Sequence, residues 1–181
     1  VAELAEKGVD LIHPEGAPPF LLRGYQAEQE IVRKWEEQYQ IPILTSAMTQ
    51  TAAFRAMGIK RFVGVTFLGS NVADLFVRYF AEAGFDIAAM ESMPVERERR
   101  HTISAEEIYS HIKKIFLKHS AIDGIYLLGS GTWRVVDLVP LEEDLGVPVI
   151  HPVAARVWCI QRRLCVRQPI HGAGRLLEAM P

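Results

Sequence analysis

The chain has 181 residues, 49% hydrophobic and 23% charged, enough to bury a full core without disulfide or metal staples. Twenty basic against twenty-two acidic residues leave a net charge of −2 and no long single-sign run, which argues against nucleic acid or an anionic membrane as partner. No apolar run approaches the roughly eighteen residues that span a bilayer, and Val1 to Lys7 form an amphipathic helical pattern rather than a leader. The expectation is therefore a cytoplasmic protein acting on a small molecule.

Short β-branched blocks alternate with longer amphipathic stretches, the pattern of βα units. In chain order the spacing predicts a strand over 9–13, a helix over 25–38, a strand over 41–45, a helix over 47–57 and a strand over 61–66. A helix over 71–83, a strand over 85–90, a helix over 105–119, a strand over 122–128, a helix over 135–145, a strand over 147–151 and a helix over 153–164 follow. Nearly every strand position is apolar, so the fold class is α/β, with parallel sheets flanked by helices. Ser104 and Glu107 form a capping box ahead of Ile108, Ile112 and Ile115. Gly58, Gly84 and Gly146 stand between helix and strand, where a left-handed cap is wanted. Ser92 to Thr102, with Glu96 to Arg100 at its centre, reads as a solvated connection, with a lid as the alternative.

A weak repeat runs through these elements. Val9-Asp10-Leu11-Ile12 leading to Gly16 matches Ile122-Asp123-Gly124-Ile125 leading to Gly129, and Ile41-Pro42-Ile43-Leu44 matches Val147-Pro148-Val149-Ile150. Each half thus has a glycine loop after one strand and a polar step after the next, Thr45-Ser46 in the first and His151-Pro152 in the second. Two lobes facing each other bring these loops to one interface, where helix amino termini favour anions. Thr45 and Ser46 offer two hydroxyls there, beyond the one that capping explains. Gly129-Ser130-Gly131 lets backbone approach a ligand but lacks the dinucleotide, Walker and hydrolase-elbow patterns, so Ser130 is a donor or weak acid/base rather than a hydrolytic nucleophile.

His151 ends a buried strand and serves equally well as an acid/base or as a residue bonded at the sheet edge. His13 is read as the second of these, and Glu15 as a solvated loop carboxylate within reach of the same pocket. Cys159 and Cys165 suit neither a zinc knuckle nor a redox pair and are read as packing residues. No spacing recommends a metal. Trp35 and Tyr79, read as surface aromatics, leave room for a homo-oligomer.

Taken together, the loop at Gly16, the turn Leu44-Thr45-Ser46, Ala56-Met57-Gly58, Leu127-Leu128-Gly129-Ser130-Gly131, Gly146-Val147-Pro148-Val149 and the tail Gly172 to Leu176 resemble the Asp/Glu racemase superfamily. The likeness is to its branch of arylmalonate decarboxylases and maleate cis-trans isomerases, and it covers almost the whole chain. The resemblance implies two pseudo-symmetric Rossmann-like, flavodoxin-like lobes: about 1–57 with the returning 153–181, and about 58–152, forming one unit over 1–181. The family usually begins with a strand and loop that contribute to the pocket, and Val1 falls in the helix that follows them. The resemblance further implies a site without a cofactor that binds a small carboxylate or dicarboxylate through Thr45, Ser46, Gly16, Gly129 and Gly131, with Ser130 at a proton-donor position. Leu44 and Ser130 stand where the racemases and isomerases carry thiols, which disfavours two-base racemisation. The expected activity is decarboxylase-like lyase or isomerase chemistry next to a carboxylate; the alternative is a binding or regulatory relative without catalysis.

Overall fold

The computed structural model describes residues 1–93, 96–99, 102–128 and 134–179. The elements are α1 (Ala2–Glu6), α2 (Pro18–Leu21), α3 (Tyr25–Tyr39), α4 (Ser46–Ala56), β1 (Arg61–Thr66), α5 (Ser70–Glu82), β2 (Asp86–Ser92), α6 (Ala105–Lys118), β3 (Gly124–Leu128), α7 (Val139–Leu145), β4 (Val149–Ile150), α8 (Pro152–Arg163) and α9 (Arg175–Glu178). Single 3₁₀ turns lie at Arg97–Arg99 and Val135–Leu138. The second replaces the start of the helix expected over 135–145, because Pro140 has no N–H and suits only the first turn of α7.

The four strands form one parallel sheet in the order β2-β1-β3-β4. Alternate side chains divide its core in two. Phe62 and Tyr126 point to one face, where Phe54 of α4, Phe80 of α5 and Trp158 of α8 join them in an aromatic cluster. Val63, Val65, Ile125 and Leu127 point to the other, where Ile108, Ile112 and Ile115 of α6 and Leu141 of α7 cover them. The capping box forms as expected, with Ser104 Oγ accepting the Glu107 N–H and Glu107 Oε2 accepting the Ser104 N–H.

The strands expected over 9–13 and 41–45 shrink to a single parallel bridge between Ile12 and Ile43. Prolines cause this. The Ile12 N–H donates to Pro42 O at 2.9 Å and the Leu44 N–H to Ile12 O at 3.0 Å. The next bond in either direction would need an N–H at position 14 or 42, and both are proline. Tyr79, read as a surface aromatic, is instead 1% exposed, its ring packed on Tyr25 and its hydroxyl bonded to Glu28. Trp35 is partly covered by the edge of Phe20. Among the described residues no helix is long and apolar enough to cross a membrane.

The repeat is visible in hydrogen bonds. Ile12 donates to Pro42 O at 2.9 Å and Ile125 to Pro148 O at 3.0 Å. Thr45 then caps α4 and His151 caps α8, and these two helices pack against each other.

Candidate functional site

The carboxyl ends of Ile12, Ile43, β1, β3 and β4 share one edge of the molecule, and α4, α5 and α8 all begin there. Helical spacing then presents one face of each. Ser46, Thr49 and Gln50 follow the i, i+3, i+4 rule on α4, Val72 and Phe76 stand four apart on α5, and Pro152 and Arg156 four apart on α8. With the loop 13–18, Leu68 and Leu128, these side chains enclose a cavity of about 190 Å³. Its lining is apolar at Leu68, Val72, Phe76 and Leu128 and polar at Ser46, Thr49, Gln50, His13, Glu15 and Arg156.

Ser46 is the first residue of α4, so its N–H and that of Ala47 lie ahead of the first intrahelical bond, which runs from the Thr49 N–H to Thr45 O at 3.1 Å. The helix dipole adds partial positive charge at the same point. Gln50 is 2% exposed; its Oε1 accepts the Tyr126 hydroxyl at 2.8 Å, which leaves the amide NH₂ as the end available to the cavity it lines. His13 lines the cavity with a side chain only 10% exposed. Its Nδ1 lies 3.5 Å from Glu15 Oε2, the oxygen that also accepts from Arg156 Nη1 at 2.6 Å. Its Nε2 is buried with no hydrogen-bond partner among the described residues. Burial, and then the Arg156 charge, push the imidazole below the ordinary histidine value, while Glu15 pulls the other way.

The sequence-predicted residues fall in three places. Ser46 and Gly16 line the cavity together. Thr45 and His151 are both 0% exposed and act as helix caps: Thr45 Oγ1 accepts the Met48 N–H at 3.3 Å, and His151 Nδ1 accepts the Val153 N–H at 3.2 Å. Gly129, Ser130 and Gly131 lie outside the described residues. Cys159 is a packing residue as expected, its thiol donating to Thr49 O at 3.7 Å and pushed up to about 12 by burial. Cys165, expected to pack as well, is exposed beyond the end of α8. His13, Thr49, Gln50 and Arg156 are polar cavity residues that sequence reasoning did not select. The i, i+4 spacing of Gln50 from Ser46 and of Arg156 from Pro152 is the signal that finds two of them.

The model of the arylmalonate decarboxylase family matches residues 1–177. The chain belongs to that family. Among solved structures it is similar to an arylmalonate decarboxylase, with 21% identity and a TM-score of 0.89 over 97% of this chain and 78% of that one. The maleate cis-trans isomerase of Nocardia farcinica matches with 22% identity and a TM-score of 0.83 over 98% and 74%. The maleate isomerase of Pseudomonas putida S16 matches with 20% identity and a TM-score of 0.81 over 99% and 74%. At such identities these likenesses carry the fold, that of the Asp/Glu racemase superfamily, as the sequence motifs imply. No curated protein matches the chain.

Proposed function

We propose that this member of the arylmalonate decarboxylase family is a cofactor-independent lyase or isomerase acting at the carbon next to a carboxylate of a small mono- or dicarboxylic acid. The observation that carries the reading is that Ser46, the first residue of α4, lines the cavity together with Thr49 and Gln50 of the same helix end. A carboxylate seated there receives the Ser46 hydroxyl and the Ser46 and Ala47 N–H groups. When the adjacent carbon loses carbon dioxide or a proton, its electron pair moves into that carboxylate. The fixed donors and the helix dipole meet the charge where it grows, and they need no reorganisation to do so. Thr45 is a positioning residue in this scheme, since its hydroxyl is taken up in capping the helix. Gly16 closes the cavity from the opposite loop. By resemblance, Gly129 and Gly131 supply backbone on the far side and Ser130 delivers the proton, directly or through water. His151, held as a cap, is the reserve acid/base.

A carboxylate-binding protein without chemistry is the second reading, favoured by the placement of the thiols. Neither Cys159 nor Cys165 lines the cavity. A hydroxyl at position 130 needs a neighbouring base to exchange protons at neutral pH, whereas a thiol does not.

The test pairs calorimetry with turnover on phenylmalonate, malonate and maleate. Ser46→Ala is expected to weaken binding about tenfold and to reduce turnover with it. Unchanged affinity in this variant overturns the carboxylate site. Gain of decarboxylase or isomerase activity in Ser130→Cys supports an enzyme, and tight binding with no turnover in either protein supports the binding module.

A further inference from the structure

Arg156 is the cation that lines the cavity among the described residues, and it already holds a carboxylate. Glu15 Oε2 sits 2.6 Å from Arg156 Nη1 and 3.5 Å from His13 Nδ1, so one carboxylate oxygen is shared by two basic side chains from different parts of the fold. The three groups differ sharply in burial. The Glu15 side chain is 72% exposed on a loop next to Gly16, whereas the Arg156 side chain is 32% exposed and that of His13 10%. A carboxylate that hangs in solvent on a glycine-flanked loop is weakly committed to its partner, since exposed ion pairs contribute between nothing and about 1 kcal/mol. The backbones of the basic pair are held by regular structure, Arg156 in α8 and His13 next to the bridge that pairs Ile12 with Ile43.

We propose that Arg156 and His13 form an anion subsite of the cavity whose occupant in the free protein is the chain's own Glu15, and that a second acidic group of the ligand binds by taking the place of Glu15. The inference rests on the carboxylate reading of the α4 end and extends it to the basic pair that lines the same cavity. The ligand is a dianion, one acidic group at Ser46 and the other on Arg156, with its carbon skeleton against Leu68, Val72 and Phe76 of the same cavity. Glu15 is then a competitor and not a binding residue. Removing its charge strengthens binding, whereas removing the charge of its partner weakens it.

The experiment measures maleate and acetate binding by calorimetry to the full chain and to Glu15→Gln, Arg156→Met and Ser46→Ala. Glu15→Gln is expected to bind maleate about threefold more tightly and Arg156→Met about tenfold more weakly, with acetate affinity moved by neither. Opposite signs from two members of one ion pair exclude a shared structural effect, and the exposed Glu15 position keeps the test open if Arg156→Met folds poorly. Weaker maleate binding in Glu15→Gln, or equal losses for maleate and acetate in Arg156→Met, overturns the subsite. If Glu15→Gln and Arg156→Met behave as expected while Ser46→Ala changes nothing, the subsite stands and the reading of the α4 end falls. If Ser46→Ala alone weakens binding, the reverse holds.

Discussion

Glu36 and Glu142 occupy equivalent places in the two halves of the molecule: Glu36 Oε1 accepts the Ile43 N–H at 2.9 Å, and Glu142 Oε1 accepts the Val149 N–H at 2.8 Å. Each carboxylate lies on a helix whose cap residue, Gln40 or Gly146, turns left-handed and leads through a proline to the residue that donates the bond. The helix end is thereby tied to the strand that positions the next helix cap, Thr45 or His151. The ties differ in burial. Glu142 is 3% exposed and its other oxygen accepts the Arg175 N–H at 2.7 Å, while Glu36 is about a third exposed and shares its Oε1 with Arg163. Glu142→Ala leaves two N–H groups without an acceptor and is expected to cost about 3 kcal/mol, against about 1 kcal/mol for Glu36→Ala, where water can enter. Urea denaturation of both variants measures the difference, and equal losses contradict the account.

His151→Asn separates a capping role from an acid/base role. Asparagine presents an oxygen to the Val153 N–H much as Nδ1 does, so this variant is expected to keep the stability of α8, whereas His151→Ala loses about 1 kcal/mol. If capping is the whole role, His151→Asn also retains carboxylate binding and turnover. Loss of turnover at unchanged stability assigns the imidazole to the chemistry.

The repeat is legible in sequence only at its apolar strands. Ile41 to Leu44 and Val147 to Ile150 match by eye, but Glu36 and Glu142 look like surface charges, because nothing in a helical glutamate marks it as folding back onto a strand. Ser46 and Gly16 are legible as cavity residues because strand ends and glycine loops announce themselves. Gln50 and Arg156 are legible only once Ser46 and Pro152 have been placed at the cavity, since each sits one helical turn further along and reaches it through the packing of α4 against α8. The short ladder at Ile12 is hidden for another reason. Pro14 and Pro42 are plain in the sequence, but their effect depends on the register of Ile12 opposite Ile43, which only the fold supplies.

Two strand glycines give forecasts of different size. A methyl group at Gly124 would come within 2.5 to 2.9 Å of three side-chain atoms of Ile59, a β-branched residue 2% exposed. Ile59 cannot turn away, and Gly124→Ala is expected to cost about 2 kcal/mol. At Gly64 the methyl group would meet Sδ and Cε of Met90, the far end of a flexible, half-buried side chain. Gly64→Ala is therefore expected to cost less than about 1 kcal/mol. Thermal or urea unfolding of the pair decides the matter, and a reversed order would mean that the sheet itself yields at β3.

Glu28 supplies the pH prediction. It is fully buried between α3, α4 and α5, its Oε2 accepts the Tyr79 hydroxyl, and its Oε1 has no hydrogen-bond partner among the described residues. Burial raises its carboxyl above the ordinary carboxylate value, against hydrogen bonding from Tyr79 and Thr45 that lowers it. A raised value means that the folded chain holds this proton more tightly than the unfolded one does. The stability it contributes is complete below about pH 4.5, where both states are protonated, and is lost as the pH climbs through the higher folded value. Glutamine keeps an oxygen for Tyr79 and has no proton to lose. Glu28→Gln is therefore expected to match the parent protein in urea at pH 4 and to exceed it by about 1 kcal/mol at pH 8; a difference that does not change with pH would contradict the assignment. Because Thr45 joins Glu28 to the cap that aims Ser46 at the cavity, the same variant tests function. Carboxylate binding that survives Glu28→Gln unchanged means that the neutral form of this side chain is sufficient to hold the α4 amino end in place.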